Sequence, residues 1–329
     1  MDKLKLFTDI CTLVHTRCPS VFQGADMPLT SAFNRSCTGT AFPGFWLEMP
    51  LSGPMHTDLF LQYAKANLQE NHTLPGDGFG YQPLFDWFAA QGNEKAGIAL
   101  SVDIQQDGSA SAAAVLNIQH GGAEDQDAFF EACGIPEAIP LLRQTMNDLP
   151  GDFLPWYVTA VWNRPERFCR ASCYVSKECS ARYAREPSLL DRQLKSLGCA
   201  FETERLCAFA SALSAHGVRF EIQVDRCLDG SMRDTLNLSI CMPPMPKAIR
   251  RWFAEEDGKA VVRTLKAWGM ADERAEQLSS LAFSCVIPAG TGTDSPARIG
   301  VLCKPGGVKT VWKRGEPQAA KVYVECLTF

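Results

Sequence analysis

Histidine is scarce in this chain: five residues in 329, at His15, His56, His72, His120 and His216. Scattered in this way, they offer neither a histidine-based triad nor a metal set by spacing. No glycine-rich phosphate loop opens a helix, and neither GxSxG nor HExxH occurs, which removes the commonest nucleotide, serine-hydrolase and zinc-peptidase signatures. No sign of charge dominates: 32 basic residues stand against 37 acidic ones, a net charge of -5. That balance argues against a general nucleic-acid binder. Without an apolar run of about 18 residues or a charged-then-apolar leader, neither a membrane span nor a signal peptide is expected, and the chain reads as cytoplasmic.

Cysteine, by contrast, is plentiful. Most of the 14 sit singly in apolar or strand-like stretches, as reduced core thiols do. The closest group, Cys169, Cys173 and Cys179, lacks the paired CxxC spacing of structural zinc, so buried thiols are the favoured reading and no metal site is assigned. The acidic runs Glu124-Asp125-Asp127 and Glu255-Glu256-Asp257 read as first-turn helix charge and a solvated face. With 46% hydrophobic residues, the chain has ample material for a large core.

Residues 218–242 carry the clearest pattern. Val218, Phe220, Ile222 and Val224 alternate with Arg219, Glu221, Gln223 and Asp225. A turn at Leu228-Asp229-Gly230-Ser231 follows, then Leu236, Leu238 and Ile240 alternate with Asn237 and Ser239. A side-chain period of two puts the apolar set on one sheet face and the polar set on the other. Similar pairs recur: 45–51 with 57–66, 97–106 with 111–120, and 155–163 with 167–176. Lys321, Tyr323 and Glu325 share one face of a last strand, although the register after residue 281 stays open. Helical spacing occupies 3–18, 81–91, 125–149, 188–216 and 246–280.

Helix and strand pair thus alternate about five times without a linker, which predicts a single domain over 1–329. Serial hairpins leave two sheet edges, and closure removes both. The fold expected is α+β: a ten-stranded antiparallel barrel ringed by helices. Its lumen would be lined by Asp103, Asn117, Gln119, Arg170, Tyr174, Arg219, Glu221, Gln223, Asn237, Lys321, Tyr323 and Glu325. So polar an interior must hold solvent or ligand. The competing arrangement is an open sheet with its polar face in water.

Repeated ααββ units closing a wet barrel resemble the ABBA-type (PT-barrel) aromatic prenyltransferases, nearer their compact bacterial and cyanobacterial peptide or indole members. The resemblance spans residues 3–329 and rests on architecture, with two local matches. Glu48 in WLEMP stands where indole- and peptide-acting members carry a first-strand glutamate, and Arg170/Tyr174, Arg219 and Lys321/Tyr323 stand at alternate positions on later strands. The second and fourth strands depart from the pattern by offering no Lys or Arg. No DDxxD of the all-helical isoprenoid synthases is present.

The resemblance implies transfer of a prenyl group from an allylic diphosphate, dimethylallyl or geranyl, to an aromatic or peptide side-chain acceptor. Arg170, Arg219, Lys309 and Lys321 would hold the diphosphate, Tyr174 and Tyr323 would shield the carbocation, and Glu48 would act as base. No cofactor is certain, and magnesium is possible because such enzymes differ. Other readings remain open. Glu48 could be a solvated edge carboxylate, Arg219 could pair with Glu221 or Asp225, and Lys321 and Tyr323 could be amphipathic decoration. The protein could be a non-catalytic barrel binding a peptide or small ligand as a partner in peptide modification. It could also be a different barrel enzyme using Asp103, Glu221 and Glu325 for acid–base work.

Overall fold

The computed structural model describes residues 2–37, 42, 44–65, 82–93, 97–105, 109–118, 122–289 and 297–329. Eleven strands form one antiparallel sheet: β1 (Gly44–Pro50), β2 (Asp58–Ala64), β3 (Gly97–Ile104), β4 (Ala110–Asn117), β5 (Phe153–Asn163), β6 (Phe168–Val175), β7 (Phe220–Cys227), β8 (Thr235–Cys241), β9 (Phe283–Ala289), β10 (Ala297–Lys313) and β11 (Glu316–Thr328). The sheet runs from β1 to β8, continues through β10 to β11, and returns to β1. Phe45 through Pro50 pair with Cys326 through Lys321, and that ladder closes a ten-stranded barrel. The open sheet is therefore excluded.

The stretch after residue 281, whose register the sequence leaves open, resolves into β9, β11 and one long strand, β10, between them. Val301–Lys313 of β10 pairs with β11 along one edge. The other edge is shared, Gly307–Lys313 with β8 and Ala297–Cys303 with β9. Pro305-Gly306-Gly307 reads as a break in sequence, but it is a bulge within the strand, where an unpaired residue is tolerated. β9 is thus an eleventh strand laid beside the ring.

Hairpins gather at one end of the barrel. The β10–β11 turn has Arg314 at φ +51° and Gly315 at φ +78°, the left-handed pair that a two-residue reversal requires. The turn at 228–231 has Gly230 at φ +87°, with Asp229 Oδ1 accepting from Ser231 N at 2.9 Å. The turn expected at Asp107-Gly108 lies outside the described residues.

Helical connections gather at the other end and fold back along the outside. They are α1 (Lys3–Arg17), α2 (Met27–Cys37), α3 (Gln82–Ala90), α4 (Ala123–Ala132), α5 (Ala138–Asp148), α6 (Lys177–Tyr183), α7 (Ser188–Ser196), α8 (Glu204–Ser214), α9 (Pro246–Ala254) and α10 (Glu256–Ala267). A 3-10 segment covers Glu273–Leu281. Helix α2 falls in a stretch that reads as loop, because Pro28, Ser31 and Ser36 dilute its apolar spacing. Its Leu29, Ala32 and Phe33 are buried nonetheless, and Phe33 stacks on Phe7 with ring centroids 3.9 Å apart. Phe7, Phe45, Leu61, Leu100, Phe220, Ile222 and Val324 belong to this apolar layer between helices and barrel.

The helical layer leaves only the lumen for the strands' polar faces. Phe220 through Asp225 are all buried, apolar residues against the helices and polar ones inside the ring. One expected lumen residue falls elsewhere. Glu325 shares the parity of Lys321 and Tyr323 but lies beyond the cavity, paired with Lys304 at 2.7 Å. Gln119 lies outside the described residues.

Candidate active site

The barrel encloses a cavity of about 1190 Å³, reaching from Pro54, His56 and Arg164 at the hairpin end to Tyr174, Arg219 and Met242 at the helical end. Three polar clusters and two aromatic walls line it.

The first cluster is built by β1, β2, β10 and β11. Glu48 is opposite Tyr323 on one side and Asp58 on the other, while Lys309 is opposite Lys321. Both ammonium groups turn toward Glu48, at 3.0 Å from Lys309 and 2.8 Å from Lys321. Lys321 also reaches Asp58 at 3.3 Å, and Lys309 hydrogen-bonds the Tyr323 hydroxyl. Burial pushes the Glu48 pKa upward, but the two lysines outweigh it and hold the carboxyl well below the usual range. Burial lowers Lys309 despite Glu48, with Lys321 and Arg170 adding to the effect. In Lys321 the balance reverses: burial disfavours its charge, but Glu48 and Asp58 raise it. Glu48 is thus the shared counter-ion of both lysines.

The second cluster belongs to β6, β7 and the segment between β7 and β8. Arg170 grips Asp225 through Nε at 2.6 Å and Nη2 at 2.9 Å, and Arg233 reaches the same carboxylate at 3.2 Å. Both guanidinium groups lie over the Phe168 ring, 5.6 and 4.2 Å from its centroid. Nearby, Arg164 pairs with Asp103 at 2.5 Å. Burial raises the Asp103 carboxyl, and Arg164 only partly offsets this.

The third cluster contains no cation. The Tyr157 hydroxyl donates to Glu221 Oε1 at 2.7 Å. Gln223 Nε2 donates to the same oxygen at 2.9 Å and to the Tyr157 hydroxyl at 2.7 Å. Gln223 Oε1 is buried without a hydrogen-bond partner. Desolvation raises the Glu221 pKa above the ordinary carboxylate value, and these hydrogen bonds only partly counter it.

Trp156 stacks on Tyr174 at 4.8 Å and meets Tyr157 edge-on at 4.4 Å. Across the lumen, Trp46 contacts Phe60 at 6.4 Å and Tyr323 at 6.5 Å, both edge-on. The Trp46 ring lies against the β10 bulge, where a Cβ on Gly306 would come within 2.1 Å of it.

Expected site residues on eight different strands therefore converge. Glu48, Lys309, Lys321 and Tyr323 form one cluster, and Arg170, Tyr174, Arg219, Glu221, Gln223, Asp103, Asn117 and Asn237 also line the cavity. Arg219 stands exposed at the helical mouth and makes no ion pair to a described residue. Of its two expected partners, Asp225 goes to Arg170 and Glu221 to Tyr157 and Gln223. Sequence reasoning missed Trp46, Asp58, Phe60, Trp156, Tyr157, Arg164 and Arg233. Consecutive Trp156 and Tyr157 both reach the lumen because a bulge between Pro155 and Tyr157 breaks the alternation.

No family model and no curated protein sequence matches the chain. Among solved structures it is similar to a 6-dimethylallyltryptophan synthase from Micromonospora olivasterospora in complex with DMASPP and Trp. The identity is 10% and the TM-score 0.57, with 98% of this chain and 97% of that one covered. It is also similar to the prenyltransferase PriB in binary complex with product diphosphate, at 14% identity and a TM-score of 0.54, covering 97% and 95%. The PriB ternary complex with L-tryptophan and dimethylallyl thiolodiphosphate gives 15% identity and a TM-score of 0.51 over the same shares. At these identities the likeness is one of fold: the closed barrel with outer helices is the ABBA prenyltransferase architecture.

Proposed function

We propose that the chain is a prenyltransferase that moves an allylic group from its diphosphate to an aromatic acceptor, either a small molecule or a peptide side chain. The supporting observation is the barrel cavity in which Lys309, Lys321 and Arg170 share a lumen with Trp46, Trp156, Tyr174 and Tyr323. Ionising an allylic diphosphate separates an anionic leaving group from a carbocation. Fixed lysines and arginines stabilise the anion, while ring faces stabilise the cation and exclude water. Similar structures hold DMASPP and Trp, product diphosphate, or L-tryptophan with dimethylallyl thiolodiphosphate, which supports this donor and acceptor class. Among the described residues no three His, Cys, Asp or Glu side chains converge as a held metal needs.

One observation favours a second reading. Arg164, Arg170, Arg233, Lys309 and Lys321 each already pair with a carboxylate of the protein, so a diphosphate must compete for them. A non-catalytic barrel that binds a peptide or small ligand has no such need. The test supplies dimethylallyl or geranyl diphosphate with tryptophan or a Trp- or Tyr-containing peptide, with and without magnesium. Pyrophosphate release with a matching gain in acceptor mass supports transfer. No product, together with no rise in Tm under saturating dimethylallyl thiolodiphosphate, overturns it. A ligand at about 100 times its Kd stabilises by ~2.7 kcal/mol, so binding would not escape notice.

A further inference from the structure

We infer that Glu221, held by Tyr157 and Gln223, is the group that receives the proton displaced from the acceptor, while Glu48 fixes the two lysines. The inference rests on the transferase reading and assigns roles within that site.

Two carboxylates face one cavity in opposite surroundings. Glu48 is clamped by Lys309 and Lys321, so taking a proton would strip both ammonium groups of their counter-charge. Glu221 is bound only by neutral groups, a phenol and a primary amide. Protonating it leaves no cation unpaired. Around it stand Tyr174 and Arg170 from β6, Arg219 just before β7, Cys241 from β8 and Lys309 from β10. None of the three cations makes an ion pair with it among the described residues. Carboxylates whose environments drive their proton affinities apart are the usual sign of divided roles.

A second observation points to a ligand at the same place. Gln223 is 4% exposed, and its amide nitrogen is engaged twice while its carbonyl oxygen has no partner. An unsatisfied buried acceptor is costly. An N–H or O–H on the bound acceptor would complete it and bring the acceptor beside Glu221. Trp156, stacked on Tyr174 and against Tyr157, supplies an aromatic wall next to this position. The reaction then balances. The allylic C1–O bond breaks and its electron pair leaves with diphosphate. A bond forms from the acceptor's ring carbon or heteroatom to C1, and the proton lost from that atom passes to Glu221.

The test compares Glu221→Gln with Glu48→Gln in the full chain, using dimethylallyl diphosphate with the acceptor that turns over. Glu221→Gln is expected to lower kcat roughly 10²–10⁴-fold while leaving the affinity for dimethylallyl thiolodiphosphate unchanged. It should also abolish the acidic limb of kcat/KM that the wild type shows. Glu48→Gln is expected to keep that limb and to change diphosphate affinity instead. An acidic limb that survives in Glu221→Gln, or a loss that tracks diphosphate affinity alone, overturns the assignment. Infrared difference titration of the apoprotein gives a readout free of turnover: a carboxylic-acid band that persists above the ordinary glutamate range and vanishes in Glu221→Gln. If that band is absent, the assignment falls while the transferase reading stands. If no acceptor is prenylated but the band is present, the transferase reading falls and the catalytic role of Glu221 goes with it.

Discussion

Arg170 and Asp225 are opposed across β6 and β7 and meet through two parallel hydrogen bonds of 2.6 and 2.9 Å. The Asp225 side chain is fully buried. Removing the carboxylate strands Arg170 inside the barrel and leaves Arg233 with Glu166 alone. Asp225→Ala is therefore expected to cost about 3–5 kcal/mol by urea denaturation. The double change Arg170→Met with Asp225→Leu should recover most of that loss. A single variant as stable as the wild type would show that water rather than Asp225 neutralises the arginines.

The lumen carboxylates predict opposite pH effects on stability. The folded-state pKa of Glu48 is depressed, so its stabilisation is present above the unfolded value of about 4.3 and fades as pH falls through the folded value. Glu221 is raised, so its cost is full above its folded pKa and vanishes in acid. Glu48→Gln should lower Tm at pH 7, and Glu221→Gln should raise it. The Glu221 difference should shrink toward pH 4 in thermal scans across pH, whereas the Glu48 difference should persist there and fall away only in stronger acid. The same sign for both variants would contradict the electrostatics of the lumen.

Gly306 makes room for Trp46. Its Cβ would meet the indole at 2.1 Å, so Gly306→Ala should displace the ring and cost about 1–3 kcal/mol, as overpacking does. Tryptophan fluorescence should shift with it. In Trp46→Phe, where the larger ring is gone, the alanine should cost much less. Equal cost in both backgrounds would place the strain in the bulge backbone.

Gly315 combines a left-handed φ of +78° with a carbonyl, that of Glu202, at 1.8 Å from where a Cβ would sit. Gly315→Ala should destabilise by about 1–3 kcal/mol from backbone strain alone, with the clash adding to it. Gly53, at φ +72° with open space around it, is the control that carries strain without the clash. Chemical denaturation of the two alanine variants separates the terms.

Much of the barrel is legible in the chain because its strands are covered on one face only by helices. The alternation of Phe220 to Asp225 and of Leu236 to Ser239 survives in the register itself. What resisted reading has local causes. The bulges at Pro155/Tyr157 and Pro305/Gly307 break a period of two, hiding Tyr157 from the site and splitting β10 into apparent fragments. Asp225 and Arg233 are recognisable only once β6 and β7 are paired, since a partner across strands leaves no mark within either one. Glu325 failed for the opposite reason: parity assigns a face but not a depth, and one rung further along the strand ends the cavity. The ion pairs of Glu48 were hidden because Lys309 and Lys321 come from strands whose register the sequence left open.

The last strand, β11, hydrogen-bonds both β1 and β10 and so forms the seam of the ring. During synthesis, the walls from β1 to β8 can assemble as an unclosed ribbon with polar side chains in bulk water. They become a chamber only after residues 316–328 arrive. Pairing partners nearly the whole chain apart make that step slow to find. A ribosome-bound chain halted just short of β11 should therefore expose its first strand to proteases and chaperones.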